Sequence, residues 1–152
     1  MSFTTLTVLA TLSTISFFSS DFKLPATWEK DFTISVSHKG SMSTGTSEVM
    51  FTYDLCTYTM QPRNGGSVTK TYKLTEKDRL AIFKKLHDLK VDAIELKPTY
   101  ATVNDGWSSS ICLGLHCIEG GSSAELSDKD KNAFLDAYAY LEQFAIDKTK
   151  KH

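Results

Sequence analysis

Hydrophobic and polar positions alternate through most of the chain and switch to helical spacing only twice. Phe32, Ile34 and Val36 share one parity, with Thr33, Ser35 and Ser37 between them. That is the pattern of an antiparallel strand with one buried face. From Glu48 to Met60 the parity changes: Val49, Phe51 and Tyr53 give way to Cys56, Tyr58 and Met60. A straight strand would send these sets to opposite faces, so the pattern predicts two short strands with a break around Tyr53–Leu55. Pro62-Arg-Asn64-Gly65-Gly66 reads as a hairpin turn, because Asn-Gly supplies the positive φ angles that a tight turn needs. Val68–Leu74 then returns as a strand with Tyr72 and Leu74 inward.

Thr75-Glu-Lys-Asp78 opens the first helix. A threonine hydroxyl accepts from a free backbone N–H, and acidic groups suit the positive end of the helix dipole. Leu80, Ile82, Phe83, Leu86 and Leu89 follow at helical spacing, and a less regular apolar stretch (Val91, Ala93, Ile94, Leu96) closes at Pro98. Asp105-Gly106 signals a turn. Trp107–Ile118 then reads as one strand, with Trp107, Ile111, Leu113, Leu115 and Cys117 on the core face and Ser108, Ser110, Cys112, Gly114 and His116 on the other. Gly120-Gly121 reads as a turn, Ser122–Leu126 as a short strand, and Ser127-Asp-Lys-Asp130 as the cap of a last helix. The buried stripe of that helix is Phe134, Ala137, Tyr138, Leu141 and Phe144. The two caps can be overlaid, Leu74–Ala81 on Leu126–Ala133, a match that shared capping chemistry explains slightly better than duplication.

The resulting order, β–β–β–β–α–β–β–α, has no strand–helix–strand series of the kind a parallel sheet requires. It predicts an α+β fold: an antiparallel sheet of about five to six strands with two helices packed on one face.

Length and charge narrow the reading. The 152 residues suit one domain, and a net charge of −1 gives no general attraction to nucleic acid or to an acidic membrane. Residues 1–20 contain no Asp, Glu, Lys or Arg and hold a short apolar run diluted by Ser and Thr. The run is too short and polar for a stable membrane span. It suits a secretory signal peptide, although no Lys or Arg precedes it; a β-prone N-terminal strand is the rival reading. Residues 21–30 read as a lead-in loop, 31–146 as a single α+β domain, and 147–152 as a solvated basic tail.

The chemistry is sparse. Of three cysteines, parity puts Cys56 and Cys117 on the core face and Cys112 on the other. Cys56–Cys117 is then the expected pair if a disulfide forms, with three buried thiols as the equal alternative. Cys112 and Cys117, five positions apart on one straight strand, would lie roughly 17 Å apart, beyond bridging distance. Cys112 and His116 would lie roughly 13 Å apart, too far for one metal ion. Ser108-Ser-Ser110 lacks the strained turn of a hydrolase nucleophile. The carboxylate pairs Asp88/Asp92 and Glu119/Glu125 carry no marker of burial. No catalytic, cofactor or metal set is expected.

The Phe32-Thr-Ile-Ser-Val36 strand, the Leu74-Thr-Glu-Lys-Asp78 cap, Asp105-Gly106-Trp107 and Gly120-Gly121 together carry a resemblance of layout. The body resembles small bacterial envelope proteins of uncharacterised function and is similar in layout to emfourin, a bacterial inhibitor of thermolysin-like metalloproteases. The resemblance implies a protein partner, such as a protease; with residues 1–20 as a signal peptide the protein is expected to be secreted or periplasmic, and otherwise cytoplasmic. The residues point to a non-enzymatic module binding through the Gly/Ser/Thr loop Lys39–Ser47, with Lys39, Gly40, Ser41, Met42, Ser43 and Thr44 as contacts. A second reading is an envelope assembly protein that docks a partner or second copy through the open sheet face at Ser108, Ser110, Cys112 and His116. An enzyme of unrecognised type ranks third.

Overall fold

Alternation builds the sheet as expected. The computed structural model describes residues 22–39, 45–95, 108–121 and 126–150. Its six strands are β1 (Ile34–Lys39), β2 (Thr46–Phe51), β3 (Leu55–Gln61), β4 (Val68–Lys73), β5 (Ser108–Leu113) and β6 (His116–Gly121). They form one sheet in the order β4-β3-β2-β1-β5-β6, with every neighbouring pair antiparallel. Two helices, α1 (Glu76–Asp88) and α2 (Asp128–Lys150), cover one face, and a 3-10 turn (Val91–Ala93) follows α1.

Ile34 and Val36 of β1 face Phe51 and Val49 of β2 on one side and Leu113 and Ile111 of β5 on the other. These side chains meet Ile82, Phe83 and Leu86 of α1 and Phe134, Ala137, Leu141 and Ala145 of α2 in one core. The parity change near Asp54 is a tight turn: Thr52 N–H donates to Leu55 O at 2.8 Å, so Phe51 and Cys56 face each other inward. Leu80, expected in the stripe of α1, instead points outward and is 62% exposed.

Both helices start on the same device. The Thr75 hydroxyl accepts from Asp78 N–H at 3.2 Å, while the Asp78 carboxylate accepts from Thr75 N–H at 3.0 Å. The Ser127 hydroxyl accepts from Asp130 N–H at 3.2 Å and donates to the Asp130 carboxylate at 2.7 Å. Each cap satisfies a backbone donor that has no partner inside its helix.

The edges of the domain differ from expectation. The lead-in loop belongs to the core: Leu24 and Trp28 are buried, and Trp28 stacks on Phe83 with ring centres 5.1 Å apart. Leu24 N–H donates to Asp92 at 3.1 Å, and Trp28 Nε1–H donates to Phe32 O at 2.8 Å. At the other end α2 runs on through Lys150, so most of the expected basic tail is helix. Lys148, expected as free tail, is half-buried and bridges to Asp78 at 2.7 Å, with its side chain 30% exposed.

From Ser108 on, the expected strand is a hairpin; Trp107, expected on its core face, lies outside the described residues. Gly114 takes φ +61°, a left-handed conformation that costs glycine nothing, and the chain reverses over Gly114-Leu115. Gly120-Gly121, expected as a turn, ends β6, and Gly120 lies flat against the Phe134 ring, which a Cβ would enter. The expected signal peptide, the turn at Asp105-Gly106, the segment around Leu96 and Pro98, and Ser122 to Glu125 of the short expected strand all lie outside the described residues.

Candidate functional site

The hairpin resets the faces of β5 and β6. Across a two-residue turn each residue of β5 faces a residue of β6 of the opposite parity: Leu113 faces His116, Ile111 faces Ile118, and Cys112 faces Cys117. Cys112 and Cys117 are therefore neighbours, with Cα atoms 4.0 Å apart, and form a disulfide. This corrects the expected Cys56–Cys117 pair. Cys56 is a free, buried thiol on the helix side of β3, and burial, with the charge of Asp78 adding to it, pushes its pKa up to about 12. The distance argument against Cys112–Cys117 failed because it assumed a straight strand.

His116 moves too. It was expected beside Cys112, yet it lies on the helix side, stacked on Phe22 with ring centres 4.6 Å apart. Leu115, expected in the core, is fully exposed at the tip of the turn. Cys117, also expected inward, is exposed on the open side. The same-strand argument against a shared Cys112–His116 metal fails with the straight strand; the disulfide takes up the Cys112 sulfur instead. Among the described residues, no group of three or more His, Cys, Asp or Glu side chains converges to hold a metal ion.

The side of the sheet away from the two described helices is an extended hydroxyl-rich surface. The pairing registers place Thr69, Thr59, Glu48, Ser37, Ser110 and Glu119 in one row from β4 to β6, on the side away from the helices. The parallel row is Thr71, Thr57, Met50, Ser35, Cys112 and Cys117. Neighbouring hydroxyls pair across strands: Ser37 with Ser110 at 2.8 Å, and Thr59 with Thr69 at 3.2 Å. Such pairs hold β-branched and short polar side chains in register, so the face presents fixed hydroxyls rather than mobile chains. Its charges are few, Glu48 and Glu119 in the row and Lys39 and Lys73 beyond it. Ser108, Ser110 and Cys112 belong to this face, as expected; His116 does not.

The expected binding loop adjoins it. Lys39 closes β1 as an exposed strand residue rather than a loop residue, and Thr46 and Ser47 open β2. Gly40, Ser41, Met42, Ser43 and Thr44 lie outside the described residues. β1 and β2 are the two central strands, so Lys39 and Thr46, which end one and begin the other, lie midway across the sheet. A groove of about 210 Å³ lies there, lined by residues that include Ser37, Lys39, Thr46, Glu48, Thr59 and Gln61.

A polar cluster sits on the helix side at the same end. His38 Nδ1 and the Ser109 hydroxyl are 2.9 Å apart. The Ser47 and Tyr138 hydroxyls donate to Glu142 at 3.2 and 3.3 Å. Burial, then the Glu142 charge, push the Tyr138 phenol up to about 12. The His–Ser contact has the elements of a nucleophile pair, but Ser109 is only 4% exposed beneath the sheet's helical cover. This cluster ties the middle of α2 to β1, β2 and β5; it is a clamp.

A second concavity escaped the sequence reading. Trp28, Tyr53, Leu80 and Phe83 line a cleft of about 330 Å³, completed by Glu76 and Arg79 of α1. The Arg79 guanidinium lies 3.9 Å over the Tyr53 ring and donates to Tyr53 O at 2.9 Å, which fixes one wall. The signal available in the sequence was Trp28 beside Pro25, an aromatic in a segment read only as a lead-in.

No described helix is long and apolar enough to cross a membrane. No protein-family model matches the chain, and no curated protein matches it in sequence.

Proposed function

We propose that the protein is a secreted or periplasmic, non-enzymatic module that binds another protein. The contact surface in this reading is the open sheet face together with Lys39 and Thr46, which flank the β1–β2 connection. The observation that carries it is the face itself: six strands wide, on the side away from both described helices, and lined by Ser and Thr of which Ser37–Ser110 and Thr59–Thr69 pair across strands. Such a surface offers many hydrogen-bond donors and acceptors at low ordering cost, which suits protein recognition. The Cys112–Cys117 disulfide supports an oxidising compartment, in keeping with residues 1–20 acting as a signal peptide.

Photocrosslinking tests the surface. Benzoylphenylalanine at Ser37 or Thr59 is compared with the same group at Lys129 or Asp136 on the exposed side of α2, in the exported fraction of the native host. Adducts from the open face alone are expected. Equal labelling from both faces, or none from either, overturns the reading. The protease-inhibitor form, which the layout resemblance suggests, is tested with a panel of metallo- and serine proteases. Undiminished activity at roughly micromolar excess of the protein removes that form.

A further inference from the structure

At the end of the sheet opposite Lys39 and Thr46, α1 and the lead-in segment form the cleft of about 330 Å³. Small-molecule sites begin at about that size, roughly 300 Å³. The base of the cleft is aromatic. Trp28 and Phe83 are buried there with ring centres 5.1 Å apart, and the Nε1–H bond to Phe32 O fixes Trp28. Tyr53 and Leu80 complete the apolar lining.

Two opposite charges line the same cleft. The Arg79 guanidinium is held over the Tyr53 ring, and both of its hydrogen bonds, to Tyr53 O at 2.9 Å and to Leu74 O at 3.5 Å, leave from Nη1. Among the described residues, Nε and Nη2 have no partner. These two nitrogens are one edge of the fork that a carboxylate takes in two parallel bonds. Glu76 precedes Arg79 by three residues, so the two are neighbours on one side of α1. They do not pair with each other, because Arg79 is engaged with Tyr53. Among the described residues, neither has an ion-pair partner.

An aromatic base beside an unpaired cation and an unpaired anion selects its occupant. A ligand with only a carboxylate would meet the like charge of Glu76, and one with only an amine would meet that of Arg79. An α-amino acid carries both groups on one carbon, and the same carbon bears a side chain that can reach the aromatic base. Inside a peptide chain the same residue has lost one or both charges.

We propose that the cleft binds a free α-amino acid with a large apolar side chain, such as phenylalanine or leucine. Arg79 Nε and Nη2 take the carboxylate, Glu76 takes the ammonium group, and the side chain lies against Trp28 and Phe83. A ligand of about a dozen heavy atoms in an open cleft binds modestly, with a Kd of about 10 μM–1 mM. The cleft is on the helix side of the sheet, so its ligand leaves the open face free and the two sites can be tested apart.

NMR titration of the full, oxidised chain, labelled with nitrogen-15, uses L-phenylalanine as the probe. The Trp28 indole N–H and the Arg79 Nε–H are expected to shift and to saturate in that concentration range. Phenylalanine amide lacks the carboxylate and N-acetylphenylalanine lacks the ammonium group; each is expected to bind at least about tenfold more weakly. Glu76→Gln and Arg79→Gln are each expected to weaken phenylalanine by a similar factor, about tenfold or more. Arg79→Gln also gives up the bond to Tyr53 O, so Glu76→Gln, at an exposed position, is the decisive variant. Absence of saturable shifts at about 10 mM phenylalanine overturns the proposal. So does an amide or N-acetyl derivative that binds as tightly as the free amino acid, or unchanged affinity in Glu76→Gln.

Discussion

Asp78 carries four polar contacts at once. Its carboxylate accepts from Thr75 N–H and from the Thr75 and Tyr72 hydroxyls, and pairs with Lys148 at 2.7 Å. Burial alone would raise its pKa, but Lys148, Thr75 and Tyr72 outweigh that and hold it at about 2 against an ordinary 3.8. The folded pKa is the lower one, so the contribution is present above about pH 4 and is lost as pH falls toward 2. The difference corresponds to about 2 kcal/mol. Urea unfolding of the wild type should therefore show a stability loss of that order on acidification, beyond any loss from other carboxylates. In Lys148→Met the stability at neutral pH should fall by about 1–3 kcal/mol and the acid loss should shrink. An unchanged acid slope in the variant would show that the pair is not the cause. The cap was legible in the sequence as Thr75-Glu-Lys-Asp78; the pair was not, because Lys148 lies 70 residues away in a stretch whose charge density reads as solvated tail. Cys56 gives a simpler prediction at the same scale. Its buried thiol, pushed up to about 12, should not react with Ellman's reagent in the native protein at about pH 8. Unfolding without reductant should release a single reactive thiol, and a fast native reaction would mean that Cys56 is not sealed in the core.

Among the elements, the β5–β6 hairpin shows where periodicity misleads. The alternation from Ser108 to Leu113 is genuine, and it continues in the letters through Leu115 and Cys117 even though the chain has turned. A two-residue turn leaves the alternation intact while exchanging the faces, so counting parity cannot detect it. The available clue was Gly114 midway between two cysteines, the only residue type that accepts φ +61° there without strain. Gly120-Gly121 misled in the opposite direction, since glycine at a strand end can serve close packing, here against Phe134, as well as a turn. The disulfide itself encloses a very short loop. Closing so few residues restricts the unfolded chain little, which puts its contribution at about 2 kcal/mol. Reduction should lower the unfolding free energy by that amount, read as a lower urea midpoint, while leaving the far-ultraviolet circular dichroism unchanged at room temperature. Loss of β signal on reduction alone would show that the hairpin depends on the bridge to fold.

Seen whole, the molecule depends on a segment that has no regular structure. The sheet and both helices were legible because each has a period: two for the strands, 3.6 for the helices. Residues 22–31 have neither, and a single tryptophan, Trp28, is too little in the sequence to set them apart from a linker. Yet Leu24 and Trp28 are buried, and Trp28, Phe32 and Phe83 stack over one end of the core. His87 and Asp92 hold the segment from the α1 side, through Pro25 O at 3.0 Å and Leu24 N–H at 3.1 Å. Burying two large apolar side chains contributes about 1.5–3 kcal/mol each, and deleting them also uncovers Phe83 and the aromatic face behind it. Set against a typical stability of about 5–15 kcal/mol, that loss is large. A chain beginning at Asp31 should therefore be at least about 4 kcal/mol less stable than one beginning at Phe22, and should expose hydrophobic surface that binds a fluorescent dye such as ANS. Parallel urea titrations of the two truncated chains decide the matter, with circular dichroism and Trp fluorescence as readouts. Two chains of equal midpoint would mean that the aromatic stack rests on the domain without supporting it, and would leave Asp31 as the true start of the fold.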